Sequence, residues 1–375
     1  MSDQQLLRLL LEWSALAAVL AWLLPARWQV PGIAACGAGL LACVSPCSLA
    51  LLASGTALTF LIHRHAADSK ALTLAGISGV TGTFVLFMSR GAHTGSGIGS
   101  GVILPMGMAF YSLRLVHYQL ESYKGGLRTH TFVEYLGYQL LPSALPVGPI
   151  HRFDGFLRDL RRRRWDATLF SGGLERILYG LVKLVVIGNY LVAYKLAIAT
   201  GAIMAAPGWA GMYATAAMFW IKLYVLFSGY SDIAIGFGAL MGFRLRENFN
   251  WPMLARNIND FWQRWHLSLS SWCRDYAFTP ALSLTRNHVV AVLASMIVLG
   301  LWHQLSLRYL IWGGYHGLGI AVYRWFDGRS KDFFARLPKP LAWAWRGFAT
   351  LSTLHFVIFS FAITSAIERA ILGVA

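Results

Sequence analysis

Long apolar runs, separated by short polar stretches, follow one another along the chain. Residues 6–25 are apolar apart from Arg8 and Glu12. The run is too long for a signal-peptide core and has no clear cleavage site, so it predicts a retained first helix. Residues 31–62 have the length of one tilted helix or two short ones, and Ser45-Pro46 marks the place for a break. His63, Arg64 and His65 end that run. Residues 72–88 form the next span, closed by Arg90, and residues 91–101 read as a Gly/Ser/Thr loop. Further runs cover 102–118, 132–145, 176–200 and 213–243. Lys183 and Lys195 must snorkel or pair within theirs. Asp232 is costly in its run unless paired or wet, and reads as a hydrogen-bonding lock in a broken helix. Residues 288–302 are apolar, a second run follows Arg308-Tyr309, residues 327–340 read as a polar loop, and 341–375 supply one last span or two short ones. This pattern predicts an all-α polytopic membrane protein of about ten membrane-embedded helices, some re-entrant. It forms a single domain over 1–375, with no internal repeat and no attached soluble domain.

One stretch breaks the pattern. Between Asn248 and Pro280, Arg256, Asp260, Arg264, His266, Arg274 and Asp275 make the chain too polar for a span. Trp251, Phe261, Trp262, Trp265, Trp272, Tyr276 and Phe278 make it too aromatic for an ordinary soluble loop. Such rings favour the boundary between acyl chains and water. A re-entrant or interfacial segment, its polar groups against protein or a wet cavity, satisfies both features.

Composition agrees. The chain of 375 residues is 57% hydrophobic and 13% charged, where soluble domains carry about 25% charged residues. Its net charge of +16 is then mainly a topology signal. Nucleic-acid binding is excluded as a reading, because no basic domain stands outside the apolar runs. Arg161, Arg162, Arg163 and Arg164 mark a cytoplasmic loop, on the same side as Arg324, Arg329, Lys331, Arg336 and Lys339. The four arginines also suit an anion site for the phosphates of coenzyme A or for an acidic carrier protein. Cys36, Cys43 and Cys47 have no His or carboxylate at metal-ligand spacing, so they and Cys273 read as packed side chains and no metal is expected.

Several blocks carry a family resemblance. Asn248-Phe249, Pro252, Phe261-Trp262-Gln263-Arg264-Trp265-His266-Leu267-Ser268-Leu269-Ser270 and Arg274-Asp275-Tyr276 form a dense match. Pro105-Met106-Gly107-Met108-Ala109-Phe110-Tyr111 is similar to a P-x-G-x-S-F-Y block, with Ala109 in place of Ser. Gly148-Pro149-Ile150-His151-Arg152 resembles a G-P-I-x-R turn, and Phe227 to Gly236 match another block. Trp302-His303 and Trp312-Gly313-Gly314-Tyr315-His316-Gly317 resemble a W-H-G and a W-G-x-x-H-G pair. Gln304 departs from the usual Gly, which bears on the backbone approach at that turn. Together these blocks, from about 105 to 317, resemble the membrane-bound O-acyltransferase family, in the branch with alginate O-acetylation and teichoic acid D-alanyl transfer proteins.

The resemblance implies helices around a central tunnel and a cytosolic thioester donor, acetyl-CoA or an acyl-carrier protein, with no bound cofactor. It implies a bacterial inner-membrane location, transfer to a hydroxyl of an envelope or secreted polysaccharide, and a periplasmic or extracellular partner acyltransferase or polymer synthase. His303 matches the family's essential histidine. A sugar hydroxyl hardly ionises at neutral pH, so transfer needs a base of imidazole type. In one straight helix His303 and His316 would stand about 20 Å apart. His316 is therefore expected to orient a donor group or line the tunnel. Asp232, Trp302, Trp265, His266, Arg264 and Asn248 are expected tunnel or substrate-site residues, His266 mainly as an anchor. Two other classes fit the pattern: a transporter or flippase of an acyl or lipid-linked substrate, and a non-catalytic scaffold of an envelope complex.

Overall fold

The computed structural model describes residues 3–93 and 107–372. Pro105, Met106 and most of the expected 91–101 loop lie outside the described residues. Every named element is helical, and the only β pairing among the described residues is an isolated bridge between Phe249 and Trp265. Two compact units divide the chain: Met1–Val182 with Gly229–Arg246, and Lys183–Ser228 with Glu247–Ala375.

The first unit begins with α1 (Asp3–Leu23), α2 (Ala26–Val44), α3 (Pro46–Ala66) and α4 (Lys70–His93). Arg8 and Glu12, the two charges of the first run, pair at 2.7 Å one turn apart on α1. The expected break falls at Ser45, whose hydroxyl accepts from the Ser48 amide and caps α3 while Pro46 opens it. Then come α5 (Met108–Tyr123), α6 (Phe132–Gln139), α7 (Phe153–Arg162) and α8 (Ala167–Leu181). Gly107 takes φ +71° at the N-cap of α5, and a Cβ there would stand 2.3 Å from the Leu145 carbonyl oxygen. Only glycine combines that backbone with that approach, and it brings two resemblance blocks, 105–111 and 146–153, side by side. Thr131 and Glu134 form a reciprocal capping box on α6.

Beyond α8 the helix continues through a π-helical stretch (Val182–Leu196) into α9 (Ala197–Met204). Next is α10 (Trp209–Leu240), unbroken over 32 residues. The broken helix expected around Asp232 is therefore absent. Its carboxylate is met from α8 by Arg176 Nε, at 2.6 Å, so no unwinding is needed to satisfy it. Within the first unit α8 and the end of α10 approach through glycines: a Cβ at Gly173 would lie 2.8 Å from Gly236 O, and one at Gly180 would lie 2.7 Å from Gly229 O. Small residues at such crossings let helix backbones come together where lipid gives no hydrophobic drive. The Arg176–Asp232 pair locks that crossing. Asp232→Ala alone should lower the melting temperature in detergent more than Asp232→Ala with Arg176→Met, because the single change strands the guanidinium. A coupling of about 1–3 kcal/mol is expected; equal melting of single and double variants would remove the lock.

The second unit continues with α11 (Ile258–Trp262), α12 (Leu267–Cys273), α13 (Thr279–Thr285), α14 (His288–His303), α15 (Leu307–Ala335) and α16 (Lys339–Leu372). The expected polar loop at 327–340 is mostly helix. Contacts one turn apart hold it: Tyr323 donates to Asp327 at 3.1 Å, and Arg329 lies 4.3 Å over the Trp325 ring. Lys195 lies over the rings of Tyr190 and Tyr194. Six helical stretches among the described residues are long and apolar enough to cross a membrane: α1, α3, α4, the continuous Ala167–Met204, α10 and α16. α14 is apolar but shorter.

Candidate functional site

The polar aromatic stretch folds back on itself in the second unit. Asn250 N donates to Arg264 O and Leu267 N to Asn248 O, both at 2.9 Å, around the Phe249–Trp265 bridge. Asn248, fully buried, also accepts from Ser268 Oγ at 2.6 Å. Arg264 pairs with Asp260 at 2.6 Å and donates to Asn250 O. Trp265 stacks on Phe261 at 5.5 Å and meets Phe249 edge-on. Asn248, Arg264 and Trp265 thus hold the fold of this segment. His266 follows it with φ 47° at the N-cap of α12, a left-handed backbone that a non-glycine residue adopts at a cost of about 1–3 kcal/mol. Its ring is buried against Phe227 at 4.7 Å and Trp302 at 5.9 Å.

Two close-packed helices set the second half of the site. α14 and α15 form a hairpin in which a Cβ on Gly300 would stand 2.3 Å from Tyr309 O, and one on Gly313 2.5 Å from Met296 O. Gln304 caps α14 with φ −164° and ψ 137°, an extended backbone open to any residue, so its departure from glycine imposes no strain. Ser306 then caps α15 through the Tyr309 amide. The hairpin brings both histidines to one indole. The Trp312 ring lies 5.9 Å from His303, perpendicular to it, and 4.5 Å from His316. Trp302 touches His303 at 4.8 Å, and Trp262 touches His316 at 5.3 Å. Ring contacts therefore run from His266 through Trp302 to His303 and through Trp312 to His316, and the last two histidines stand far closer than a straight helix allows.

The two hairpin histidines differ. His303 ends α14, partly exposed, with its ring among Trp302, Tyr309 and Trp312. His316 is fully buried, and its Nε2 lies 3.2 Å from Ser360 Oγ on α16. Ser360 donates its proton to Val357 O at 2.6 Å and accepts from Trp312 Nε1 at 3.1 Å. A hydroxyl has one proton, so His316 must donate from Nε2 and carry its lone pair on Nδ1, which has no partner. Trp262 also walls a cavity of about 380 Å³, with Ser270, Cys273, Arg274 and Arg324 among its polar lining and Met296 among its apolar lining. Sequence reading missed Ser360 and this cavity, and took Arg324 only as a topology charge; helix packing alone shows these placements.

Asp232 and the arginine run belong to the first unit. Asp232 pairs with Arg176, as above. Arg161 pairs with Glu134 at 3.1 Å. Burial pushes the Glu134 carboxyl up, but Arg161 and Thr131 outweigh it and hold that pKa below the ordinary carboxylate value. Arg163 turns inward, donating to Met241 O, Ala21 O and Gln29 Oε1 and lying 5.0 Å over the Trp22 ring. Only Arg162 and Arg164 of the run are both exposed and without a protein partner among the described residues.

This chain is similar to several known bacterial proteins. It is 34% identical over 250 residues to probable alginate O-acetylase AlgI of Pseudomonas aeruginosa, covering 64% of this chain and 46% of that protein. It is 29% identical over 281 residues to a teichoic acid D-alanyltransferase of Bacillus subtilis, covering 69% and 68%. It is 28% identical over 279 residues to a peptidoglycan O-acetyltransferase of Helicobacter pylori, covering 64% and 51%. The chain spans about half the length of the first and third of these relatives. The model of the MBOAT, membrane-bound O-acyltransferase, family matches residues 6–365, the blocks and the histidine pair included, and the chain belongs to that family.

Proposed function

We propose that this chain is an O-acyltransferase of the bacterial inner membrane. It takes an acyl group, acetyl by preference, from a cytosolic thioester of coenzyme A or a carrier protein. It delivers that group across the membrane through a tunnel to a hydroxyl of an envelope or secreted polysaccharide, directly or through a periplasmic partner. The convergence of His303 and His316 on Trp312 carries this reading. His303 takes the acceptor's hydroxyl proton as the oxygen attacks the thioester carbonyl. The C–S bond breaks and the thiolate leaves, taking up a proton, while hydrogen-bond donors hold the oxyanion. The cavity beside Trp262 holds the acyl end of the donor. The relatives named for O-acetylation favour acetyl over D-alanyl. Vesicles given acetyl-CoA labelled in the acetyl group test the reading: a transferase splits the thioester and leaves label in an ester, whereas a transporter moves the donor intact.

The donor site has its own test. Replacing Arg162 and Arg164 by Gln should weaken donor or carrier binding a few-fold, at about 0.2–1 kcal/mol per exposed charge. The effect should fade with salt, since screening acts within about 8 Å at physiological ionic strength. Binding titrations at two salt concentrations measure it. Unchanged affinity in a normally inserted variant would leave the run as a topology signal alone.

A further inference from the structure

Arg114, on α5 in the first unit, is 1% exposed, and no carboxylate faces it among the described residues. Residues 94–106, outside the described range, carry no acidic side chain either. Its Nη1 reaches Tyr138 O at 3.5 Å, but Nε and Nη2 are buried with no partner. Those two N–H groups share one edge of the guanidinium, the fork that grips both oxygens of a carboxylate.

Of its neighbours, Tyr135 and Tyr138 are satisfied, by Thr59 and Gln139 and by the His151 carbonyl, but Tyr111 and His151 keep unpartnered atoms. Tyr111, Tyr135 and Tyr138 lie within electrostatic reach of the guanidinium, as does His151. The Tyr111 hydroxyl is buried, at 2% exposure, and makes no hydrogen bond of ordinary length. His151 donates from Nδ1 to Pro149 O at 3.4 Å, which leaves Nε2 a bare acceptor with no partner. A buried, uncompensated cation is among the most costly arrangements a protein interior can hold. One negative charge balances it. A chloride ion would meet the fork at one point, and a phosphate dianion would leave excess charge behind. A carboxylate matches the fork in charge and in plane, with Tyr111 as a further donor. His151 Nε2 would take a hydroxyl or a bridging water. Tyr111 also walls a cavity of about 200 Å³ between α3, α4 and α5, lined by Ser54, Thr83 and Ser112 among others.

We propose that Arg114, with Tyr111, forms a buried binding site for the carboxylate of a small organic acid. The proposal does not rest on the acyltransferase reading. The test is the melting temperature of the detergent-purified chain as chloride is replaced stepwise by acetate at constant ionic strength. The expected result is a saturable rise in the wild type and none in Arg114→Gln. Tyr111→Phe keeps the charge and should raise the half-saturating acetate concentration about tenfold, the loss of one hydrogen bond to a charged group. It also serves if Arg114→Gln does not fold. Acetate and chloride acting alike in the wild type, or acetate stabilising wild type, Arg114→Gln and Tyr111→Phe equally, would overturn the site.

Discussion

Replacing His303 by Gln should lower acyl transfer per folded molecule about 100- to 10,000-fold, the range for losing a general base. Glutamine keeps a hydrogen-bonding end but cannot take a proton at neutral pH. The ring packs against Trp302 and Trp312 at the end of α14, and glutamine is close to it in size, so the change leaves little cavity and the protein should stay monodisperse. His303→Ala should be equally inactive. His316→Gln is the informative contrast. Its amide can still donate to Ser360, so measurable turnover should remain if His316 orients groups rather than taking the proton. Because His316 carries a bare Nδ1, the opposite outcome has a definite meaning. If His316→Gln is dead and His303→Gln turns over normally, the two roles are exchanged.

The second large effect needs no change at a histidine. Gly300→Ala should cut transfer about 100-fold, the loss expected when a catalytic group shifts by about 1 Å. The new Cβ would stand 2.3 Å from the Tyr309 carbonyl oxygen, which is backbone and cannot rotate away. α14 and α15 must part, and His303 moves from Trp312 with them. Overpacking of this kind costs typically about 1–3 kcal/mol, so the chain should still fold. Glycine-like turnover in a folded Gly300→Ala would mean that the hairpin spacing does not position the base.

Much of this was legible in the chain. The Ser45-Pro46 break followed from proline chemistry, and the continuous apolar runs gave α1, α4 and α10 closely. The density of charges and rings between Asn248 and Pro280 marked the segment that departs from simple spans, and it holds His266. Other features depend on contacts between distant residues. Asp232 looked costly because its partner Arg176, 56 positions away, could not be paired with it from spacing. The four arginines looked alike, yet Arg163 is drawn inward by Trp22, Gln29 and the end of α10. Residues 327–335 looked like a loop because polar residues were read singly, while their i to i+4 contacts keep them helical. The link from His316 to Ser360 crosses two helices and has no trace in either motif.

The central claim is that this chain joins thioester cleavage to ester formation at His303. The most direct measurement follows labelled acetyl-CoA in membranes from the producing cell, where any periplasmic partner is present. Free thiol and labelled polysaccharide ester are counted together, in wild type and in His303→Gln. The account predicts that both appear in equal amounts in the wild type and that both vanish in the variant at equal protein level. Labelled ester forming at the normal rate in the variant, or label crossing the membrane with its thioester intact, would contradict it.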